Sequence, residues 1–129
     1  MIRTSKVTED YINPLFKLLH YPRNTHKWIA LRFMINISLS LKDRKYKVDI
    51  ENFDGKEYRL IQITGENKED EDVTTHYYKM LEAYEDITFK NKKEFERSLE
   101  YHIYRGYFIL SSSLKANSSI YEFLLHEFV

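Results

Sequence analysis

The sequence predicts a mainly α-helical protein that opens with a short strand, a helix, a turn and a second helix, continues through a short β-hairpin and closes with three further helices. Three observations carry this prediction. Apolar residues recur at helical spacing along most of the chain. Only three glycines and two prolines interrupt its 129 residues. Alternation of apolar and polar residues is confined to the first few positions and to the stretch around Asp54-Gly55.

Residues Ile2 to Val7 are β-branched and weakly alternating, which reads as a strand too short to stand alone. Thr8, followed by Glu9 and Asp10, has the form of a helix N-cap with acids in the first turn; a start at Asn13, with Pro14 in the first helical position, fits equally well. Either start puts Ile12, Leu15, Phe16 and Leu19 on one face, and Pro22 ends the helix near His20. Asn24 or Thr25 caps a second helix to about Leu41, apolar almost all round and therefore central to a core or an oligomer. Tyr46, Val48 and Ile50 alternate before Asp54-Gly55, as do Tyr58, Leu60 and Gln62 after it, which predicts the hairpin. The acidic run Glu66 to Asp72 reads as a solvated, mobile linker. Helices follow over about Val73 to Tyr84, Lys92 to Ser113 and Ser119 to Phe128. The second of these turns Phe95, Leu99, Ile103 and Leu110 inward, with Gly106 marking a close approach. The last opens on the capping box Ser119-Ile-Tyr-Glu122 and offers Phe123, Leu124 and Phe128 for docking.

This length suits one domain, expected over 1–129, with a core that needs no covalent staple. Cysteine is absent, which excludes disulfides, thiolate nucleophiles and cysteine-based metal centres and fits a reducing, cytoplasmic location. The most apolar stretch, Trp28 to Leu41, is broken by Arg32, Asn36, Ser38 and Ser40, so no membrane span is expected. Twenty basic and twenty acidic residues cancel over the whole chain. They are unevenly placed: Met1 to Lys47 carries ten Lys or Arg against three acids, a surplus of seven cations, and the remainder carries the matching deficit. Halves of opposite sign hint at a nucleic-acid face, and equally fit two halves that attract each other within or between subunits. Eleven Tyr, eight Phe and one Trp imply a core and a subunit interface built from large rings, with base stacking as the sharper alternative.

Catalytic signatures are missing: no phosphate-binding glycine loop, no His-Glu-x-x-His, no GxSxG and no dinucleotide fingerprint. His20, His26, His76, His102 and His126 include no pair at helical metal-ligand spacing, so neither metal nor cofactor is expected. The stronger constellation is the opening order of basic strand, helix, turn and helix, which is that of ribbon-helix-helix proteins. In that order Arg3, Thr4, Ser5 and Lys6 lie near base edges, and Arg23, Asn24, Thr25, His26 and Lys27 meet phosphates at the start of the second helix. Arg44, Lys45 and Lys47 extend the basic surface. A strand that merely seals a dimer and a cap that merely starts a helix account for the same residues. His102 and Gly106 sit one turn apart beside Arg105, where a neighbouring backbone could approach over the glycine; packing explains this cluster better than catalysis.

Taken together, the second helix Ala30-Leu31-Arg32-Phe33-Met34-Ile35-Asn36-Ile37-Ser38-Leu39, the segment Phe53-Asp54-Gly55-Lys56-Glu57-Tyr58 leading to Ile63-Thr64-Gly65-Glu66, the run His102-Ile103-Tyr104-Arg105-Gly106 and the close Phe123-Leu124-Leu125 resemble the DndE family, linked to bacterial DNA phosphorothioation. The resemblance implies a mostly helical fold related to ribbon-helix-helix proteins, homo-oligomers, affinity for duplex DNA with a preference for nicked duplex, and work beside the larger sulfur-modification subunits. It marks Gly65, His102, Arg105 and Gly106 as family positions. One departure is the turn His20-Tyr21-Pro22-Arg23-Asn24-Thr25, where the family tends to be glycine-rich. The expected function is therefore a non-enzymatic, DNA-binding accessory subunit. An assembly adaptor that never touches DNA and a ribbon-helix-helix repressor are the alternatives, and a metal-dependent nickase rests only on scattered acids and histidines.

Overall fold

The computed structural model describes residues 1–41, 47–50 and 52–113. In chain order it contains β1 (Ile2–Arg3), α1 (Lys6–Leu18), α2 (Lys27–Ser40), β2 (Glu57–Tyr58), α3 (Leu60–Ile63), α4 (Thr74–Glu85) and α5 (Lys92–Ser113). The mainly helical class and the opening order of strand, helix, turn and helix are as the sequence predicts. Arg44, Lys45 and the helix expected over Ser119 to Phe128 lie outside the described residues.

Helix α1 begins earlier than Thr8. Ser5 is the N-cap: its backbone is extended and its side chain accepts a 3.2 Å hydrogen bond from the Thr8 amide. Thr8 is thereby drawn inside the first turn and is buried. Pro14 stays within the helix on its exposed side, where water can satisfy the carbonyl that its missing N–H leaves unpaired. At the other end, the Tyr21 amide reaches back to Phe16 O at 2.8 Å and the His20 amide to Lys17 O at 3.2 Å. This is a Schellman ending, and it puts His20 at φ 61°, the left-handed conformation that glycine adopts most easily. The glycine expected in this turn is therefore replaced by a histidine in the same kind of backbone geometry.

The two strands form one antiparallel pair, Ile2 opposite Tyr58 and Arg3 opposite Glu57. This corrects one expectation. The hairpin around Asp54-Gly55 is not formed by the residues after it, since Glu57–Tyr58 pairs with the N-terminus and Leu60 already begins a helix. Asp54 and Gly55 serve that pairing instead: Asp54 Oδ1 accepts from the Lys6 amide and the Gly55 amide donates to Thr4 O. A Cβ on Gly55 would come within 2.7 Å of Ser5 O, so the site needs glycine for space. Within the chain, the Arg3 amide, which points away from β2, donates to Glu100 Oε1 at 2.8 Å.

The core lies along α2 and α5. Leu31, Met34 and Ile35 from α2 meet Phe95, Leu99, Ile103 and Leu110 from α5, all essentially without solvent exposure. Ile12, Leu15 and Phe16 close the core from α1, and Tyr77 and Leu81 from α4. Helix α5 begins where the sequence predicts, continues to the last of the described residues and turns the predicted face inward. Gly106 lies at its crossing with α2, where a Cβ would come within 2.7 Å of Met34 Cα and closer still to the Met34 carbonyl. The loop from Glu66 to Asp72 is exposed but structured. Asp72 Oδ2 accepts from the Asn67 amide and Oδ1 from the Thr74 amide, while Val73 donates to Thr64 O. Gly65 turns the chain into this loop at φ +71°, and a Cβ there would lie 2.5 Å from Glu71 O.

Candidate nucleic-acid interface

The α1–α2 turn delivers the chain to the start of α2. Thr25 closes a short turn by donating from its hydroxyl to Pro22 O at 2.6 Å, and His26 is the N-cap without a side-chain cap bond. No acid stands in the first turn of α2, where a carboxylate would complement the helix dipole. Instead the sequence places His26, Lys27 and Trp28 there.

These residues help to line a groove of about 790 Å³. Arg32, Tyr58, Ile61, Gln62 and Gly65 line it too, together with Lys68, Asp70 and Glu71 of the following loop. The Arg32 guanidinium lies over the Trp28 ring at 4.3 Å and its Nε donates to Ile63 O at 2.6 Å. Trp28 is consequently held in place although 38% of it remains exposed. The groove thus joins cations and an indole from α2 with a loop that carries Lys68 and the carboxylates of Asp70 and Glu71.

Beneath it, Glu9 is a nearly buried acceptor shared by several elements. Its carboxylate receives the Thr4 hydroxyl at 2.6 Å, the Tyr58 hydroxyl at 2.9 and 3.0 Å, and Lys27 Nζ at 3.3 Å. Burial and the adjacent carboxylate push the Tyr58 hydroxyl well above its ordinary pKa, so it remains a donor. Lys56 stands beside Lys27, whose charge pulls its pKa down. Lys27 pairs with Glu9 and Lys56 has no ion pair of its own among the described residues, a crowding of positive charge that a further anion would relieve.

The structure distributes the sequence-predicted residues unevenly. Lys27 and Gly65 line the groove. Arg23 and Asn24 are exposed in the preceding turn, Thr25 is half-buried there, and Lys47 is exposed. Arg3 lies elsewhere, bonded through Nε to Glu100 at 3.2 Å and stacked over Phe53 at 4.2 Å. Lys6 is the first residue of α1 and pairs with Asp10 at 3.0 Å. Trp28, Lys56 and Lys68 do not stand out as site residues in the sequence. The spacing of Trp28 and Arg32, one helical turn apart, is a readable signal for the stack. Lys68 is hidden inside an acidic run.

The second cluster, around His102, Arg105 and Gly106, is buried. His102 is wholly enclosed, with Nδ1 2.7 Å from Ser38 Oγ and Nε2 3.0 Å from Glu85 Oε1. Burial opposes ionisation of Glu85, but His102, Ser98 and the Arg105 charge together outweigh it, leaving the carboxyl below its ordinary pKa. Arg105 Nη1 donates to Ser38 O at 2.7 Å, Ser38 Oγ at 3.1 Å and the Tyr84 hydroxyl at 2.8 Å. Ser38, His102 and Glu85 have the connectivity of a hydrolytic triad. Their setting does not permit that chemistry: Ser38 is fully buried, its hydroxyl already accepts from Arg105, and α5 lies across it. The cluster instead fastens α2, α4 and α5, and Arg105 satisfies a carbonyl at the C-terminal end of α2. Among the described residues no three His, Asp or Glu side chains are grouped to hold a metal ion, and no helix is long and apolar enough to cross a membrane.

Comparison with known proteins gives one assignment. No curated protein and no solved structure matches the chain. The family model described as DNA sulphur modification protein DndE matches residues 1–118. That match spans both the groove and the buried cluster, and the chain belongs to the DndE family of DNA sulphur modification proteins.

Proposed function

We propose that the protein is a DNA-binding accessory subunit of a bacterial DNA sulfur-modification system, working as a homo-oligomer beside the catalytic subunits in the cytoplasm and carrying out no chemistry itself. Family membership gives the pathway. The observation that carries the DNA-binding reading is the groove at the start of α2, where Lys27, Arg32 and Lys68 converge next to Lys56. Each cation that meets a phosphate releases a counterion, so affinity falls with salt. Four such contacts predict a slope of about −3.6 in log affinity against log salt, or roughly a hundredfold loss from 50 to 200 mM. Mobility-shift titrations with intact and nicked duplex measure this directly. The paired substitution Lys27→Glu and Lys68→Glu should weaken binding to both and flatten the slope, with the helical circular-dichroism signal retained. Absent or salt-insensitive binding by the pure protein would overturn the reading.

A second reading, an adaptor that contacts only proteins, draws support from ion pairs that join the basic N-terminus to acids of α5. The terminal amine meets Glu96 at 2.9 Å and Arg3 meets Glu100 at 3.2 Å. Co-purification with modification subunits that survives nuclease treatment, together with no DNA shift, is the result that would favour it.

A further inference from the structure

We infer that the groove receives a single unstacked nucleotide of a DNA strand, with its base against Trp28 and its phosphate on the side of Lys27. The inference rests on the DNA-binding reading and specifies what part of the nucleic acid this site takes. Volume is the first reason. A space of about 790 Å³ falls in the range of small-molecule sites and is far too small for a duplex. The second is the exposed indole. Trp28 lines the groove together with Ile61, itself 37% exposed, so the two offer an apolar surface on which a base can lie. Arg32 stacked on the indole fixes its orientation, so little side-chain freedom is lost when a base stacks on it.

The third reason is the polarity of the groove. Lys27 and Arg32 of α2 stand with the preceding His26, whereas on the loop the two carboxylates of Asp70 and Glu71 outnumber the one cation of Lys68. A phosphate is therefore drawn more strongly to the α2 residues than to the loop. A nucleotide has the matching asymmetry: an anionic phosphate at one end and, in cytosine, adenine and guanine, an exocyclic amino donor at the other. Carboxylates are acceptors for those donors. The loop carboxylates therefore set the direction of the nucleotide and favour amino-bearing bases over thymine.

Trp28 is the sole tryptophan of the chain, so its fluorescence reports on this site alone. Titration should use single-stranded eight-nucleotide oligodeoxycytidylate, the same-length oligothymidylate, an abasic oligonucleotide of equal phosphate number, and a blunt duplex. Stacking predicts strong quenching by oligodeoxycytidylate, weaker binding of oligothymidylate, and affinity for the abasic strand lower by about tenfold or more. Trp28→Leu, followed by oligonucleotide anisotropy, should erase the base-dependent advantage and leave abasic binding unchanged, and Trp28→Tyr should restore it in part. Equal affinity for abasic and base-bearing strands, or strand binding without a change in Trp28 emission, would overturn the inference. Duplex shifted in a gel while oligodeoxycytidylate leaves Trp28 unquenched would overturn it and leave the DNA-binding reading standing. Binding of no nucleic acid at all would remove both.

Discussion

Replacing Gly106 with alanine tests the packing on which the fold depends. The added Cβ would lie 2.7 Å from Met34 Cα and closer to the Met34 carbonyl. A carbon and a carbonyl oxygen rest at about 3.3 Å, and the Met34 oxygen is the nearest atom, so α2 and α5 must separate by more than about 1 Å at their crossing. The atoms it would meet are backbone of a core helix, so no side chain can swing aside to absorb the change. Separation loosens the contacts of Leu31, Met34, Ile35, Leu99 and Ile103 together and stretches the 2.7 Å bond from Arg105 Nη1 to Ser38 O beyond hydrogen-bonding range. Overpacking of this kind costs about 1–3 kcal/mol and occasionally more. Weakening a hydrogen bond from a buried charged donor adds about 1.5–3 kcal/mol. Alanine recovers about 1 kcal/mol in helix propensity. The net expectation is a loss of about 3 kcal/mol, a large part of the roughly 5–15 kcal/mol that typically holds a domain together. Urea unfolding followed by circular dichroism measures it as a lowered midpoint. A variant as stable as the parent, or more stable by the propensity gain, would refute the close crossing.

Three further outcomes follow from individual contacts. His20→Gly should stabilise the protein by about 0.5–1 kcal/mol, because the left-handed conformation at φ 61° is less strained in glycine; an unchanged or lower thermal midpoint would count against it. Glu85 has its pKa depressed in the folded state, so its contribution is complete above the ordinary carboxyl value of 4.5 and is lost as pH falls through the folded value. Thermal melts from about pH 6 to 3 should therefore show a steeper acid loss in the parent than in Glu85→Gln, and parallel curves would exclude a role for this carboxylate. Glu9→Gln removes the counter-ion of Lys27 while leaving Tyr58 an acceptor; affinity for DNA should rise a few-fold, as read by anisotropy, and a fall would show that Glu9 orients Lys27 instead of neutralising it.

The helices are legible where burial has a simple period. Phe95, Leu99, Ile103 and Leu110 recur at helical spacing with good formers between them, and α5 begins at Lys92 and buries that face as the pattern implies. The strand pairing is not legible, because Tyr58 and Leu60 alternate as well with a hairpin partner as with Ile2, which is distant in sequence. Local pattern carries no information about which distant segment supplies the ladder. Buried acids are equally hidden. Glu9 and Glu100 look like surface residues in the sequence, and only the fold shows that the first gathers Thr4, Tyr58 and Lys27 while the second gathers Arg3 and Arg97. Sequence order does point to the start of α2 as a phosphate-facing position. That Trp28, Arg32 and Lys68 share a groove there depends on Gly65 turning the Lys68 loop towards α2, which no spacing rule gives.

Internal pairing also sets how the charge asymmetry should be understood. One cation of the basic surplus between Met1 and Lys47 is neutralised by an acid outside that stretch, Arg3 by Glu100, while Lys6 with Asp10 and Lys27 with Glu9 are pairs that the surplus already counts. A cation already paired in the free protein releases fewer counterions when a phosphate replaces its partner, so the surplus of seven overstates the electrostatic footprint. Among the described residues Arg32, Lys56 and Lys68 form no ion pair, and with Lys27 they bound the groove's contribution at four phosphates. At physiological salt the screening length is about 8 Å, so more distant charges change this number little. A measured salt slope steeper than about −4 therefore requires cations from outside the groove, which Arg23→Ala and Lys47→Ala would locate on this chain if the slope then falls. A steep slope insensitive to both, and dependent on protein concentration, would place the additional cations on a second copy.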